Sequence, residues 1–386
     1  MIPYGRQSIS QDDVNAVVDV LNSDFLTQGP TVPLFEDAVK DFVGSRFAIA
    51  ANSATSALHL ACLALGVAKG DIVWTSAITF VASANCAIYC GASVDFIDID
   101  AQSYNMSVSD LEQKLILAKK SGKLPKVLIP VHLCGQSCDM QNIFELSKKY
   151  GFKIIEDASH SIGGKHHDSF IGSCRFSDIT VFSFHPVKII TSAEGGMCTT
   201  NNSDLARTIE LLRTHGITRD ENELTNHSEG TWYYEQQLLG FNYRMTDLQA
   251  ALGLSQLDRL NTFISSRNKI AELYIDDFSG SKITFQKLLD NNLSAYHLFV
   301  IQIEEKDTGL SKKKIFEALK KMGINVNLHY IPVYRHPYYQ SLKSYEKKDF
   351  PNSEKYYSTA ISIPIFPDLN EDDRQYVSKS ILGMIL

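Results

Sequence analysis

From about residue 46 to residue 200, short apolar runs alternate with stretches of helical periodicity. Residues 47–51, 72–75, 94–97, 126–131 and 153–156 read as strands. Residues 54–65, 81–89, 108–119 and 140–150 read as the helices between them. Strands separated by crossovers of this length pair in parallel, and a parallel sheet needs helices on both faces. Two more strands are predicted at 179–184 and 197–200, followed by helical patterns over 246–260 and on to about 274. After Ser279 the pattern changes to a strand at 296–303, a helix at 312–322 ended by Gly323, a strand at 326–330 and a closing helix at 372–382. The expected fold is α/β, a mostly parallel central sheet with helices on both faces plus a smaller α+β unit. The expected division is a large domain over 1–250, including the N-terminal segment, and a small domain over 251–386.

Composition narrows the function classes. The net charge of −7 is opposite to what gripping nucleic acid through its phosphates requires, and no nucleic-acid partner is expected. No apolar run reaches about 18 residues, so no membrane helix is expected. The first eleven residues lack the basic and apolar regions of a signal peptide. Seven cysteines, an odd number scattered through apolar segments, suit reduced thiols in a cytoplasmic protein.

The most informative segment is 182–190, in which Lys188 stands among Phe182, Phe184, Val187, Ile189 and Ile190. Burial penalises an ammonium and favours the neutral amine, the form that adds to a carbonyl. The competing reading is a lysine that snorkels to the surface. Upstream, 153–157 is a buried strand that ends in Glu156 and Asp157, at the edge where open parallel sheets bind ligands. Asp157 is the candidate to keep a ring nitrogen protonated; a turn cap is its alternative. Residues 52–58, small and hydroxyl-rich between a strand and a helix, could turn backbone N–H groups toward a phosphate, or serve only as an N-cap. Ser183 could add a hydroxyl there.

In this order, these pieces resemble the DegT/DnrJ/EryC1/StrS family of PLP-dependent sugar aminotransferases, fold type I. Further matches are the 25–30 turn, Thr79-Phe80, Glu156-Asp157-Ala158-Ser159-His160, Glu194-Gly195-Gly196 and Gly240-Phe241-Asn242-Tyr243-Arg244-Met245. The resemblance runs from about residue 2 to 370. It implies pyridoxal 5'-phosphate (PLP), with the pyridoxamine form as intermediate, held on Lys188 as a Schiff base. It implies that the freed lysine shuttles the proton, that Asp157 pairs with the pyridinium nitrogen, and that His160 lies near the phenolic oxygen. Ala54, Thr55 and Ser183 would hold the phosphate and Phe80 would cover one ring face, core packing being the alternative for Phe80. Asn242 would reach the phosphate of the neighbouring subunit's cofactor, which implies a homodimer with shared active sites.

Within the family, the opening Ile2-Pro3-Tyr4-Gly5-Arg6-Gln7 and the segments 73–76, 82–87 and 131–137 are similar to the branch that works in pseudaminic acid biosynthesis. That likeness implies amination at C4 of a UDP-linked keto-sugar with L-glutamate as donor. Tyr4, His185, His215, His329 and Tyr330 are the expected substrate contacts. For His215 a capped helix end, and for His329 a structural place, are the alternatives. Cys134, Cys138 and His132 lack a fourth ligand nearby, and no metal is expected. Cys86 and Cys90, one helical turn apart, read as packing residues. Sugar dehydratases of the family carry His where Lys188 stands. A binding or regulatory member would lack Lys188 or Asp157. An amino-arabinose or bacillosamine-type transaminase stays open. No Walker loop, Gly-x-Ser-x-Gly elbow or Gly-x-Gly-x-x-Gly fingerprint is present.

Overall fold

The computed structural model describes residues 1–226 and 229–385, so that position 386, the end of the expected small domain, lies outside it. Its centre is a seven-stranded sheet of β1 (Phe47–Ala51), β2 (Ile72–Ser76), β3 (Ser93–Ile97), β4 (Val127–Ile129), β5 (Lys153–Asp157), β6 (Ile179–Ser183) and β7 (Gly196–Thr200), in the order β1-β7-β6-β5-β4-β2-β3. Pairing is parallel from β3 through β6, and β7 runs antiparallel to both β6 and β1. The parallel strands are buried on both faces, which is why they read as short unbroken apolar runs.

Helices α1 (Gln11–Leu21) and α2 (Thr31–Val43) precede the sheet, in a region where the sequence pattern predicts no element. A capping box between Ser10 and Asp13 opens α1, and Gly44, at φ 76°, ends α2. Helices α3 (Ala54–Ala64), α4 (Ala82–Tyr89), α5 (Val108–Ser121) and α6 (Met140–Tyr150) follow β1 to β4 in turn, and α7 (Ser203–Arg213) follows β7. Helices α8 (Asp247–Asp258) and α9 (Leu260–Phe278) come next. One core joins Leu58, Leu60 and Ala61 of α3 to Ile155, Ile179 and Val181 of the sheet. Phe182, Phe184 and Met197 pack with Phe35, Val39 and Leu260 in another, and Leu111 and Leu115 with Ile143 and Leu146 in a third.

A second sheet of β8 (Thr284–Phe285), β9 (Phe299–Gln302) and β10 (Ala360–Ile363) is antiparallel. It shares a core with α9, α10 (Lys312–Lys321) and α11 (Glu371–Leu382), to which Ile2 of the N-terminus also contributes. The strand expected at 326–330 does not form. Only Asn327 pairs with Ser362, and the His329 carbonyl accepts from the Tyr356 hydroxyl instead of a neighbouring strand. Pro332, without an N–H, could not have extended a ladder. The strand expected at 126–131 is likewise cut to Val127–Ile129 by Pro130. Among the described residues, no helix is long and apolar enough to cross a membrane.

Candidate active site

The carboxyl ends of β5 and β6 and the N-terminus of α3 meet at a cavity of about 400 Å³. Asp157 is the last residue of β5 and pairs with Val181 of β6, so the chain after β6 returns over the same sheet edge. That return segment delivers Ser183, His185 and Lys188 to the cavity wall. Across it stand Tyr4, Ala54, Thr55, Phe80, His160, His329 and Tyr330.

Asp157, 5% exposed, is held by three donors. The Ser83 hydroxyl donates to Oδ2 at 2.6 Å, and the Ser159 hydroxyl and amide donate to Oδ1 at 2.6 and 3.1 Å. The Thr79 hydroxyl, 2.7 Å from Ser83 Oγ, donates to Ser83 in turn, since Ser83's own proton is committed to Asp157. The result is a fixed acceptor-only carboxylate at the end of a strand.

Burial draws the Lys188 amine down to about 8, against the opposing pull of Asp157. Its polar neighbour is His297, whose Nε2 lies 3.4 Å from Lys188 Nζ and whose Nδ1 is buried without a partner among the described residues. Burial, with Lys188 next in importance, holds both His297 and His160 well below the ordinary histidine range. His160 Nδ1 accepts the Cys134 amide at 3.3 Å, which puts its proton on Nε2, 3.1 Å from the Tyr330 hydroxyl. His329 is held down to about 3 by burial and by Lys188, and its Nδ1 lies 2.8 Å from Ser362 Oγ. Three neutral imidazoles therefore surround the amine without adding charge.

At α3, the Ser53 side chain caps the Ser56 amide at 3.1 Å, and Ser56 donates to Asn52 at 2.6 Å. Helix geometry leaves the Ala54 and Thr55 amides without intrahelical acceptors. Gly196 makes this corner possible. A Cβ there would stand 2.5 Å from Ala54 N and from the Ser53 carbonyl group. Phe80, 57% exposed, presents a ring to the cavity, its centroid 5.9 Å from that of Tyr330.

Eleven of the thirteen expected site residues thus share one cavity. His215 and Asn242 do not. Asn242 is exposed and bridges Thr214, and His215 lines a separate cleft with Arg207, Arg219 and Arg244. Ser53 is the N-cap that the 52–58 stretch offers, whereas His297, Ser83, Ser159 and Thr79 have no role that the sequence alone assigns. Ser83 and Ser159 lie inside segments already singled out, whereas His297 sits in what reads as a plain strand. His132 is committed elsewhere, its Nδ1 to the Cys138 amide at 3.1 Å and its Nε2 to Glu156 at 2.7 Å.

The model of the DegT/DnrJ/EryC1/StrS aminotransferase family matches residues 7–382. The UDP-4-amino-4,6-dideoxy-N-acetyl-beta-L-altrosamine transaminase of Campylobacter jejuni strain 81-176 is 36% identical, covering 100% of this chain and 98% of its own. The spore coat polysaccharide biosynthesis protein SpsC of Bacillus subtilis is 37% identical, over 100% of this chain and 97% of its own. Among solved structures, Helicobacter pylori PseC, an aminotransferase involved in the biosynthesis of pseudoaminic acid, superimposes with a TM-score of 0.89 at 32% identity, covering 100% of this chain and 99% of its own.

PLP fits the residues present. It asks for an anion site, an acceptor for a ring N–H, an apolar face and an amine that can shed its proton. The open α3 terminus, Asp157 with its three donors, exposed Phe80 and Lys188 supply one of each in a single cavity.

Proposed function

The chain belongs to the DegT/DnrJ/EryC1/StrS aminotransferase family, and from that premise we propose that it moves an amino group from L-glutamate to C4 of UDP-2-acetamido-2,6-dideoxy-β-L-arabino-hex-4-ulose. The product is UDP-4-amino-4,6-dideoxy-N-acetyl-β-L-altrosamine, in pseudaminic acid biosynthesis. Support for the substrate is full-length likeness to the altrosamine transaminase and to PseC. The observation that carries the chemistry is the Lys188 amine, drawn down to about 8, in one cavity with a buried carboxylate and the start of α3, whose Ala54 and Thr55 amides have no intrahelical acceptor.

Bound PLP supplies a carbonyl for amines and a ring that withdraws electrons from the reacting carbon. The protein does the rest. Lys188, neutral in a useful fraction near pH 8, takes a proton from the substrate carbon and returns it. His297 gives the amine a hydrogen-bond partner within the cavity wall, so that it stays close to the reacting atoms. Ser83 and Ser159 hold the Asp157 carboxylate in place, aimed at the ring nitrogen. Ala54, Thr55 and Ser183 bind the phosphate through amides and a hydroxyl. Phe80 covers a ring face, and His160 stands near the phenolic oxygen. Tyr4, His185, His329 and Tyr330 bind the sugar nucleotide. His215 and Asn242 serve the cavity of a second copy in a homodimer, which explains why they lie outside their own.

Donor and acceptor use the same cavity in turn, so kinetics are ping-pong. The test is NMR analysis of the product after incubation with L-glutamate and a panel of UDP-4-keto-sugars. C4 amination of the named sugar is expected. Faster turnover of an amino-arabinose or bacillosamine precursor would replace the substrate. Full activity of Lys188→Ala would remove the mechanism altogether.

A further inference from the structure

His297 reaches Lys188 from the segment 294–298, which leads into β9. The backbone there is strained. Tyr296 has φ 42°, in the left-handed region that a bulky residue does not adopt unaided. Two partners hold it. The loop before α6 is one: its Gly135 and Cys134 carbonyls accept the Ala295 and Leu298 amides at 3.0 and 3.2 Å, and a Cβ on Gly135 would stand 2.6 Å from the Tyr296 nitrogen. Arg267 of α9, 1% exposed, is the other. Its Nη1 lies 3.1 Å from the Tyr296 carbonyl oxygen, 3.3 Å from that of His297 and 3.2 Å from that of Ile365, so one nitrogen serves three acceptors. Ile365 in turn donates its amide to the Tyr4 carbonyl at 3.1 Å.

Among the described residues no carboxylate offsets Arg267, and its Nε is buried without a partner. A guanidinium keeps its proton, so the charge is permanent. A buried charge without an ion pair is destabilising, and stability alone would be served as well by an apolar side chain of similar size. The carbonyls that it does reach point to its use. We propose that Arg267 is a positioning residue for the transamination, which holds the strained 296–297 backbone so that the His297 imidazole meets the Lys188 amine. Arg267 does not line the cavity; it acts through the carbonyls of residues 296 and 297. Its charge also adds to burial, Lys188 and His160 in keeping a proton off His297, so the ring that faces the amine stays neutral.

This inference rests on Lys188 being the amine that takes up PLP, and the test separates the two. Cofactor-free protein is mixed with PLP, reduced with borohydride at intervals, and digested, and the pyridoxyl group on the Lys188 peptide is followed by mass spectrometry. Arg267→Lys keeps a cation but lacks the planar fork. Arg267→Lys and His297→Leu should each slow capture by Lys188 about tenfold, the scale of a misplaced reacting group, with the final amount captured unchanged. The double variant should be no slower than His297→Leu alone, because Arg267 acts through His297. An arginine that only props the fold would multiply the two losses to about a hundredfold. In turnover, Arg267→Lys should lower kcat about tenfold and leave the KM for L-glutamate within about twofold. Arg267→Gln, neutral but still a donor, repeats the cycle should Arg267→Lys fail to fold by thermal unfolding. Multiplied losses, or capture by both Arg267 variants at the wild-type rate, would overturn the proposal with the role of Lys188 intact. Wild-type protein that captures no PLP on Lys188 would overturn both.

Discussion

An amine in an apolar wall is destabilising while it is charged, and Lys188 shows the sign plainly. Its folded-state value of about 8 lies below the ordinary 10.5, so the unfolded chain binds the proton more tightly. The penalty is complete below about pH 8 and is relieved as pH rises toward 10.5. In cofactor-free protein, Lys188→Met should therefore raise stability at pH 7 by ~1–3 kcal/mol, and the gain should shrink above pH 9. Urea unfolding at the two pH values measures it; a loss of stability at pH 7 would count against the burial argument. Asp157 asks a different question, because three donors fix where its carboxylate stands. Asp157→Asn should still bind PLP yet lose most of its turnover, while Ser83→Ala should cost a smaller part of kcat and ~1 kcal/mol of stability. Equal activity of Asp157→Asn and wild type would end the electron-withdrawal role. Lys188 and Asp157 were legible in the sequence because a charge inside an apolar run is conspicuous. His297 was not, since a single imidazole in a strand pattern has no local signature and its meaning comes only from Lys188, 109 positions away.

Among the elements, the decisive junction is where β7 meets the start of α3. Alternation of apolar runs was enough to find both, because each buries an apolar run that shows in its own stretch of sequence. Their contact was not legible, although Gly195-Gly196 marked the place. Gly196 is needed because the Ser53 and Ala54 backbone occupies the space of a side chain. Gly196→Ala would have to displace backbone, which costs ~1–3 kcal/mol and moves the phosphate amides. Thermal unfolding of the cofactor-free protein should fall by several degrees, and PLP affinity should drop with it. Unchanged values for both would mean that the junction yields easily. The opposite failure occurred at 326–330, where Val326, Leu328 and Tyr330 look like an alternating strand. Those apolar groups do pack inward, Val326 with the core under β8–β10 and Leu328 and Tyr330 in the cluster that also holds Tyr4, but a side-chain hydroxyl takes the backbone partner that a strand would need. Periodicity reports burial; it does not report where a carbonyl finds its donor.

At the scale of the whole molecule, the unanswered geometry is that of Asn242 and His215. The stretch of chain between them exposes Trp232 at 69% and Leu239 at 83%, large apolar groups that a lone chain gains nothing by showing to water. We propose that a second copy covers this stretch and that each cavity borrows Asn242 from its neighbour. A two-fold dimer makes this testable by mixing two damaged enzymes. Lys188→Ala removes the amine of a chain's own cavity; Asn242→Ala removes the group lent to the other. In a mixed dimer, one cavity carries both lesions and the other carries neither. After subunit exchange of equal amounts, about half the dimers are mixed and about a quarter of all cavities are intact. Activity at limiting PLP should therefore rise from near zero for Lys188→Ala, and a reduced value for Asn242→Ala, to about a quarter of wild type plus the share of the unmixed Asn242→Ala dimers. If Asn242 acts within its own chain, no intact cavity can arise, and mixing would give only the average of the two parents.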